Sequence, residues 1–396
     1  MSRLWDKGTP LDARVLAYTS ADDHELDNRL VAYDIRASVA HAMMLHEQSL
    51  LSRADLTAIT DALLQIGAAH ARGEWRVSLE LEDSQTAIEN LLTEKIGATG
   101  GRLHAGRSRN DQVLVALRLF MRDAANRLCQ ASLGVADALD RLAAREGHIA
   151  LPGYTHMQQA MPSTVAWWAG GYAAEIRDDA AGLTGCLRRI GKNPLGSAAG
   201  YGTPGLPVNR ESTRKHLDFA VTHEPVTAVQ LSRGKAEAQL AFEITLLTQD
   251  IARLAADLLL YYTQEFAFVS LPPDFTTGSS IMPQKRNADV FELMRGRSAV
   301  AQAALNEILG ITQKLTSGYH RDLQLIKLPL FRSIDACEQT LNLLPVALDG
   351  IRFIPENIEL DPDIHAAEAA NAMVAQEGIP FREAYRRVAA KLKTGG

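Results

Sequence analysis

Apolar and polar positions alternate with a helical rhythm along most of the chain. Leu114, Leu117, Met121, Ala124 and Leu128 recur at spacings of three and four. The clearest seam is Leu240, Ile244, Leu247, Ile251, Leu254 and Leu258. Its steps of four and three give a period of about 3.5, which lays one helix along another at a shallow angle. Phe242, Leu246, Leu259 and Leu260 put apolar groups on further faces, so this helix is expected to be surrounded by other helices. Residues 163–190 read similarly, with Pro162 suited to a helix start and Gly191 to a left-handed helix end. Ser52 and Asp55 form a capping-box pattern that opens a helix through Ala69. Strict two-residue alternation is scarce. Gly-rich loops at residues 97–106, 191–205 and 276–287 separate the long segments. The expected division is 1–106 as an N-terminal helical part, 107–345 as a long-helix core and 346–396 as a small C-terminal part. Pro345, Pro355 and Pro362 punctuate the last boundary.

Composition narrows the function classes. With 46% hydrophobic and 22% charged residues, the chain is neither disordered nor collagen-like. Lys plus Arg is 41 against 47 for Asp plus Glu, so the basic excess usual in a nucleic-acid binder is missing. Cys129, Cys186 and Cys337 are widely spaced, and no CxxC or other zinc-ligand spacing occurs. A reducing compartment, the cytoplasm, is expected. The opening MSRLWDKGTP has no apolar core of a secretory signal. The greasiest stretch, residues 254–271, is interrupted by Asp257 and Glu265, so no membrane span is expected.

Four polar stretches stand between the greasy helices. Residues 103–111, LHAGRSRND, set Arg107, Ser108, Arg109 and Asn110 just before a helical pattern. A helix start with guanidinium donors suits a carboxylate or phosphate, and equally a simple capped helix. Residues 153–159, GYTHMQQ, hold Thr155 and His156 in what reads as a loop entering a helix; His passes protons near neutrality, but a lone His is more often structural. Residues 276–287, TTGSSIMPQKRN, make a Gly/Ser loop ending in Lys285 and Asn287, able to close over an anion and exclude water. The order GxxxxGK[ST] of a P-loop and the GxSxG of a hydrolase elbow are both absent from it. Residues 317–324, SGYHRDLQ, followed by Lys327, read as either a site or a charged helix turn.

Together, and in this order, these stretches resemble argininosuccinate lyases of the fumarase/aspartase superfamily. The likeness runs from RLWDKG near the start to GIPFREAY near the end. GSSIMPQKRN is similar to the loop of the whole superfamily, whereas GRSRNDQ, GYTHMQ, YHRDLQ and NPLGSAAGYG are more specific. The resemblance implies an all-α fold with a central bundle of long helices, a homotetramer, and active sites shared between three subunits. It implies a reversible elimination of argininosuccinate to arginine and fumarate, with no cofactor and no metal. In this likeness Ser279 on the closing loop and His156, oriented by Glu292, share the base and acid roles; the sequence leaves open which is which, and Ser279 is favoured as the base. Lys285 and Asn287 meet the aci-carboxylate dianion. Ser108, Asn110 and Thr155 take the succinyl carboxylates, Arg109 adds positive potential, and Tyr319, Gln324 and Lys327 hold the arginine end.

Three departures matter. Gln85 stands where the family usually has His, and Gln cannot shuttle a proton. Ala288 replaces the usual Pro after Asn287. Asp23 stands near the place of an expected Ser before Asp27. Two of these lie in the part that contributes to the amine-side pocket. The alternatives are thus a related lyase acting on another N-substituted aspartate, and a non-catalytic crystallin-like scaffold. Retention of Ser279, Lys285, Asn287, His156 and Glu292 argues against the scaffold.

Overall fold

A computed structural model describes residues 12–20 and 22–394; the RLWDKG segment lies outside them. The fold is all-α, with only short strands. The helices used below are α1 (Val31–Glu47), α2 (Arg53–Ala71), α3 (Ser84–Ile96), α4 (Arg109–Glu146), α5 (Val165–Gly185), α6 (Lys235–Tyr261), α7 (Asp289–Thr312), α8 (Lys327–Gly350), α9 (Ala366–Glu377) and α10 (Phe381–Thr394). Strands β1 (Ala150–Thr155) and β2 (Gln158–Thr164) form an antiparallel hairpin.

The chain divides into two compact units, and α4 to α8 each have residues in both. The first comprises Met1–Cys129, Ala181–Thr245 and Ala299–Cys337. Its core joins α1, α2 and α3 through Met44, Leu45, Ile59, Leu63, Ile88 and Leu92. Burying such side chains contributes roughly 1.5–3 kcal/mol each. Helix α2 opens on the expected capping box. Ser52 Oγ accepts from Asp55 N–H at 3.1 Å, and the Asp55 carboxylate accepts from Ser52 N–H at 3.3 Å.

The second unit comprises Gln130–Ala180, Leu246–Ser298 and Glu338–Gly396. An aromatic cluster of Trp168, Tyr261, Phe268 and Phe353 anchors it. Asp257, the acid that interrupts the greasy stretch, accepts from Trp168 Nε1 at 3.0 Å and from the Tyr172 hydroxyl at 2.8 Å. A C-terminal pair, α9 and α10, closes over Ala370, Ala384 and Val388.

Every residue of the 240–258 seam is at most 1% exposed. Its other faces are not covered within one chain: Phe242 is 46% and Leu246 38% exposed. Three expectations are corrected. Pro162 lies inside β2, opposite Pro152, and not at a helix start. Gly191 has φ −75°, so it is no left-handed cap, and α5 already ends at Gly185. Pro345 sits inside α8, where packing on either side keeps the helix going despite the lost N–H donor.

Candidate active site

The first unit carries a cleft of about 160 Å³. Helix α4 starts at Arg109, earlier than the sequence suggested, because Ser108 and Asp111 tie its first turn, so Arg109 and Asn110 lie inside the helix. Ser108 N–H donates to Asp111 Oδ1 at 2.9 Å. The other carboxylate oxygen accepts from the N–H groups of Gly196 (2.9 Å) and Ala198 (2.8 Å), which fastens the 193–202 loop to the helix start. Burial still pushes the Asp111 carboxyl up to about 6, against the pull of these donors. Arg109, Asn110, Tyr319, Gln324 and Lys327, scattered over more than two hundred positions, all line this one cleft. Arg109 does not stand free: it pairs with Asp83 at 3.0 Å and donates to Thr86 Oγ1 at 2.7 Å. Arg107 is half-buried and donates to Ser38 Oγ. Gln324 Nε2 donates to the Thr19 carbonyl at 3.0 Å.

Lys327 is 2% exposed, and its ammonium bonds Asp27 at 2.6 Å and Asp23 at 2.8 Å. Burial alone would lower its pKa; the two carboxylates outweigh that and raise it. One ammonium cannot balance two acids. Burial, with repulsion from Asp27 and Asp83, pushes Asp23 up to about 7 despite Lys327. Behind this triad, Gln85 Nε2 donates to Asp34 at 2.8 Å and to Ser84 Oγ at 2.9 Å. Ser84 Oγ donates to Asp34 in turn. Asp34 is fully buried, and desolvation pushes its carboxyl up to about 7. Gln85 therefore serves as a neutral donor to a buried acid. Sequence reasoning missed Arg233, whose guanidinium lies 5.8 Å from the Tyr319 ring centroid in the same cleft. It stands in the short polar run 232–235, outside the motifs of the four stretches, so nothing marked it.

The second unit carries the remaining candidates. His156 is not in a loop entering a helix. It sits with Met157 at the two-residue tip of the β1/β2 hairpin, both at positive φ (52° and 62°). Two left-handed residues are what a tight hairpin turn demands, and without Gly or Asn here the strain is about 1–2 kcal/mol per residue. Thr155 ends β1, paired with Gln158. The 276–287 loop is a loop with a closed neck. Thr277 N–H donates to the Asn287 carbonyl at 3.0 Å, and Asn287 N–H returns to Thr277 O at 2.8 Å. Within it Ser279 Oγ accepts two backbone N–H groups, from Ile281 (3.3 Å) and Met282 (3.1 Å). Donors aimed at a hydroxyl oxygen favour its anionic form. Lys285 N–H donates to Met282 O at 3.0 Å, and Asn287 Nδ2 to Gly278 O at 3.4 Å. Glu292 lies exposed in the first turn of α7. Among the described residues no hydrogen bond joins His156 to Glu292 or to Ser279.

Among the described residues no group of three or more His, Cys, Asp and Glu could hold a metal ion, and no helix is long and apolar enough to cross a membrane.

The described chain is all-α, with a Ser, Lys and Asn loop in one unit and a polar cleft at the start of α4 in the other. A lyase family model matches residues 10–303. An argininosuccinate lyase of Sorangium cellulosum is 45% identical over 392 residues, covering 98% of this chain and 90% of the relative. One from Xylella fastidiosa is 42% identical over 390 residues, covering 98% and 87%. A solved structure of an EDDS lyase variant with bound fumarate superposes with TM-score 0.80 at 25% identity, covering 98% of this chain and 77% of that one. The chain belongs to the lyase family and, within it, to the argininosuccinate lyases.

Proposed function

We propose that the protein splits argininosuccinate into arginine and fumarate, and runs the addition in reverse. The observation that carries the chemistry is the Ser279 turn. Its oxygen receives two N–H groups, and Lys285 follows in the same closed loop. A hydroxyl is a poor base until its alkoxide is stabilised, and these groups supply that stabilisation. Ser279 takes the proton from the carbon beside a succinyl carboxylate. The carboxylate collects the charge as an aci-dianion, which Lys285 and Asn287 meet with a cation and an amide. His156, oriented by Glu292, gives a proton to the departing guanidinium nitrogen. Ser108, Asn110 and Thr155 hold the succinyl carboxylates. Tyr319 and Gln324 hold the arginine end, and Lys327 acts there through the carboxylates it bridges.

The site is completed in a homotetramer. Exposed apolar groups on the long helices support this reading: Trp167 (75%), Leu293 (60%) and Val346 (55%), besides Phe242. Three free thiols suit the cytoplasm.

One observation favours a second reading. Lys327, expected at the amino acid's carboxylate, is already held by Asp23 and Asp27. An amine leaving group without that carboxylate would meet less of a cation there. A panel of N-substituted aspartates, followed by fumarate absorbance, separates the two. The proposal predicts the highest kcat/KM on argininosuccinate; a higher value on another amine displaces arginine as the product.

A further inference from the structure

A second cavity of the first unit, about 280 Å³, shares no lining residue with the substrate cleft. Its wall is cationic. Arg118 comes from α4, Arg189 and Lys192 from the turn after α5, and Lys235 from the first position of α6. His223 and Ser232 complete the polar wall, and no carboxylate lines it. None of the four cations forms an ion pair among the described residues.

Two of the groups are buried with unspent donors. Arg118 is 1% exposed. It donates to the Arg189 carbonyl and, at 3.1 Å, to Ser232 Oγ, while its Nε has no partner. His223 is 6% exposed, and its Nδ1 has no partner. Burial, with the charges of Arg118, Lys192 and Arg210, holds the His223 imidazole down at about 4. At neutral pH it is an uncharged ring that can offer an N–H. The buried acid Glu237 acts on Arg118 and Arg233 together. Four cations face one cavity that no carboxylate lines. Like charges so placed destabilise the fold unless an anion joins them.

We propose that this cavity is a binding site for a small phosphate-class anion, inorganic phosphate or pyrophosphate, separate from the substrate cleft. Arg118 provides its unspent Nε–H and a buried positive charge, and Lys192, Lys235 and Arg189 provide charge around it. The amide end of α6 adds its positive dipole. Apart from His223 the wall offers no aromatic face on which a base could stack, which fits a free anion and not a whole nucleotide. The site does not depend on which amine the lyase releases.

Calorimetric titration of the purified full-length protein with phosphate and with pyrophosphate, at fixed ionic strength, tests it. Pyrophosphate should bind more tightly than phosphate, and saturating fumarate should not displace it. The double variant Lys192→Gln/Lys235→Gln should weaken binding at least about tenfold, as loss of charge-assisted contacts does, with unchanged turnover. Arg189→Gln is the second variant, expected to weaken binding as well. Displacement by fumarate, unaltered binding in both variants, or no binding at millimolar anion would overturn the proposal. Tighter binding of adenosine monophosphate than of pyrophosphate would overturn the assignment to a free anion.

Discussion

Removing the Lys327 ammonium leaves Asp23 and Asp27 buried without a cation. Lys327→Met is therefore expected to lower stability by about 3–5 kcal/mol, the cost of breaking a buried pair from one side. Urea unfolding checks this; a midpoint equal to wild type would mean the two acids are protonated or wet. Asp34 gives a second prediction, in pH. Its folded pKa of about 7 lies above the ordinary value of 3.8. The folded state holds the proton longer than the unfolded one, so the contribution is complete below the unfolded value and lost as pH rises through about 7. Asp34→Asn removes that titration. Thermal midpoints measured from about pH 4 to pH 8 should show wild type losing ground to the variant as pH rises; parallel curves would contradict the buried acid. Neither the triad nor this pair was legible in the sequence, because their members are 50 and 300 residues apart and no local pattern links them.

At the scale of elements, the sequence was most readable where one local rule decides. The α2 capping box needs only Ser52 and Asp55, and it forms as read. Ser52→Ala should cost about 1 kcal/mol in unfolding experiments, with turnover unchanged; no loss would show that the cap is redundant with packing. The seam on α6 was equally plain, since six apolar residues at steps of four and three fit one helix face. The β1/β2 hairpin was not. Its turn has neither Gly nor Asn, and Pro152 and Pro162 obscure the alternation. The left-handed φ at His156 and Met157 is imposed by strand pairing, not by local preference. The four polar stretches did announce candidate residues, and the cleft collects five of them, all from the stretches at 103–111 and 317–327. The Ser279 turn is a local device: its hydroxyl accepts from N–H groups two and three residues on, inside a loop that Thr277 and Asn287 close.

For the whole molecule, the open apolar positions on α5, α6, α7 and α8 are the features one chain leaves unexplained. Large exposed apolar patches mark association surfaces. Leu293→Glu/Val346→Glu is expected to shift the protein to smaller species in sedimentation velocity and to abolish turnover with it. A variant that sediments like wild type and stays active would move the interface elsewhere. The proposed base of the elimination, the Ser279 oxygen, is tested by fumarate absorbance from argininosuccinate with wild type and with Ser279→Ala of the same oligomeric state. Wild type is expected to release fumarate steadily, and the variant to have a kcat lower by about 10²–10⁴-fold. Near-equal rates in the two proteins would contradict it.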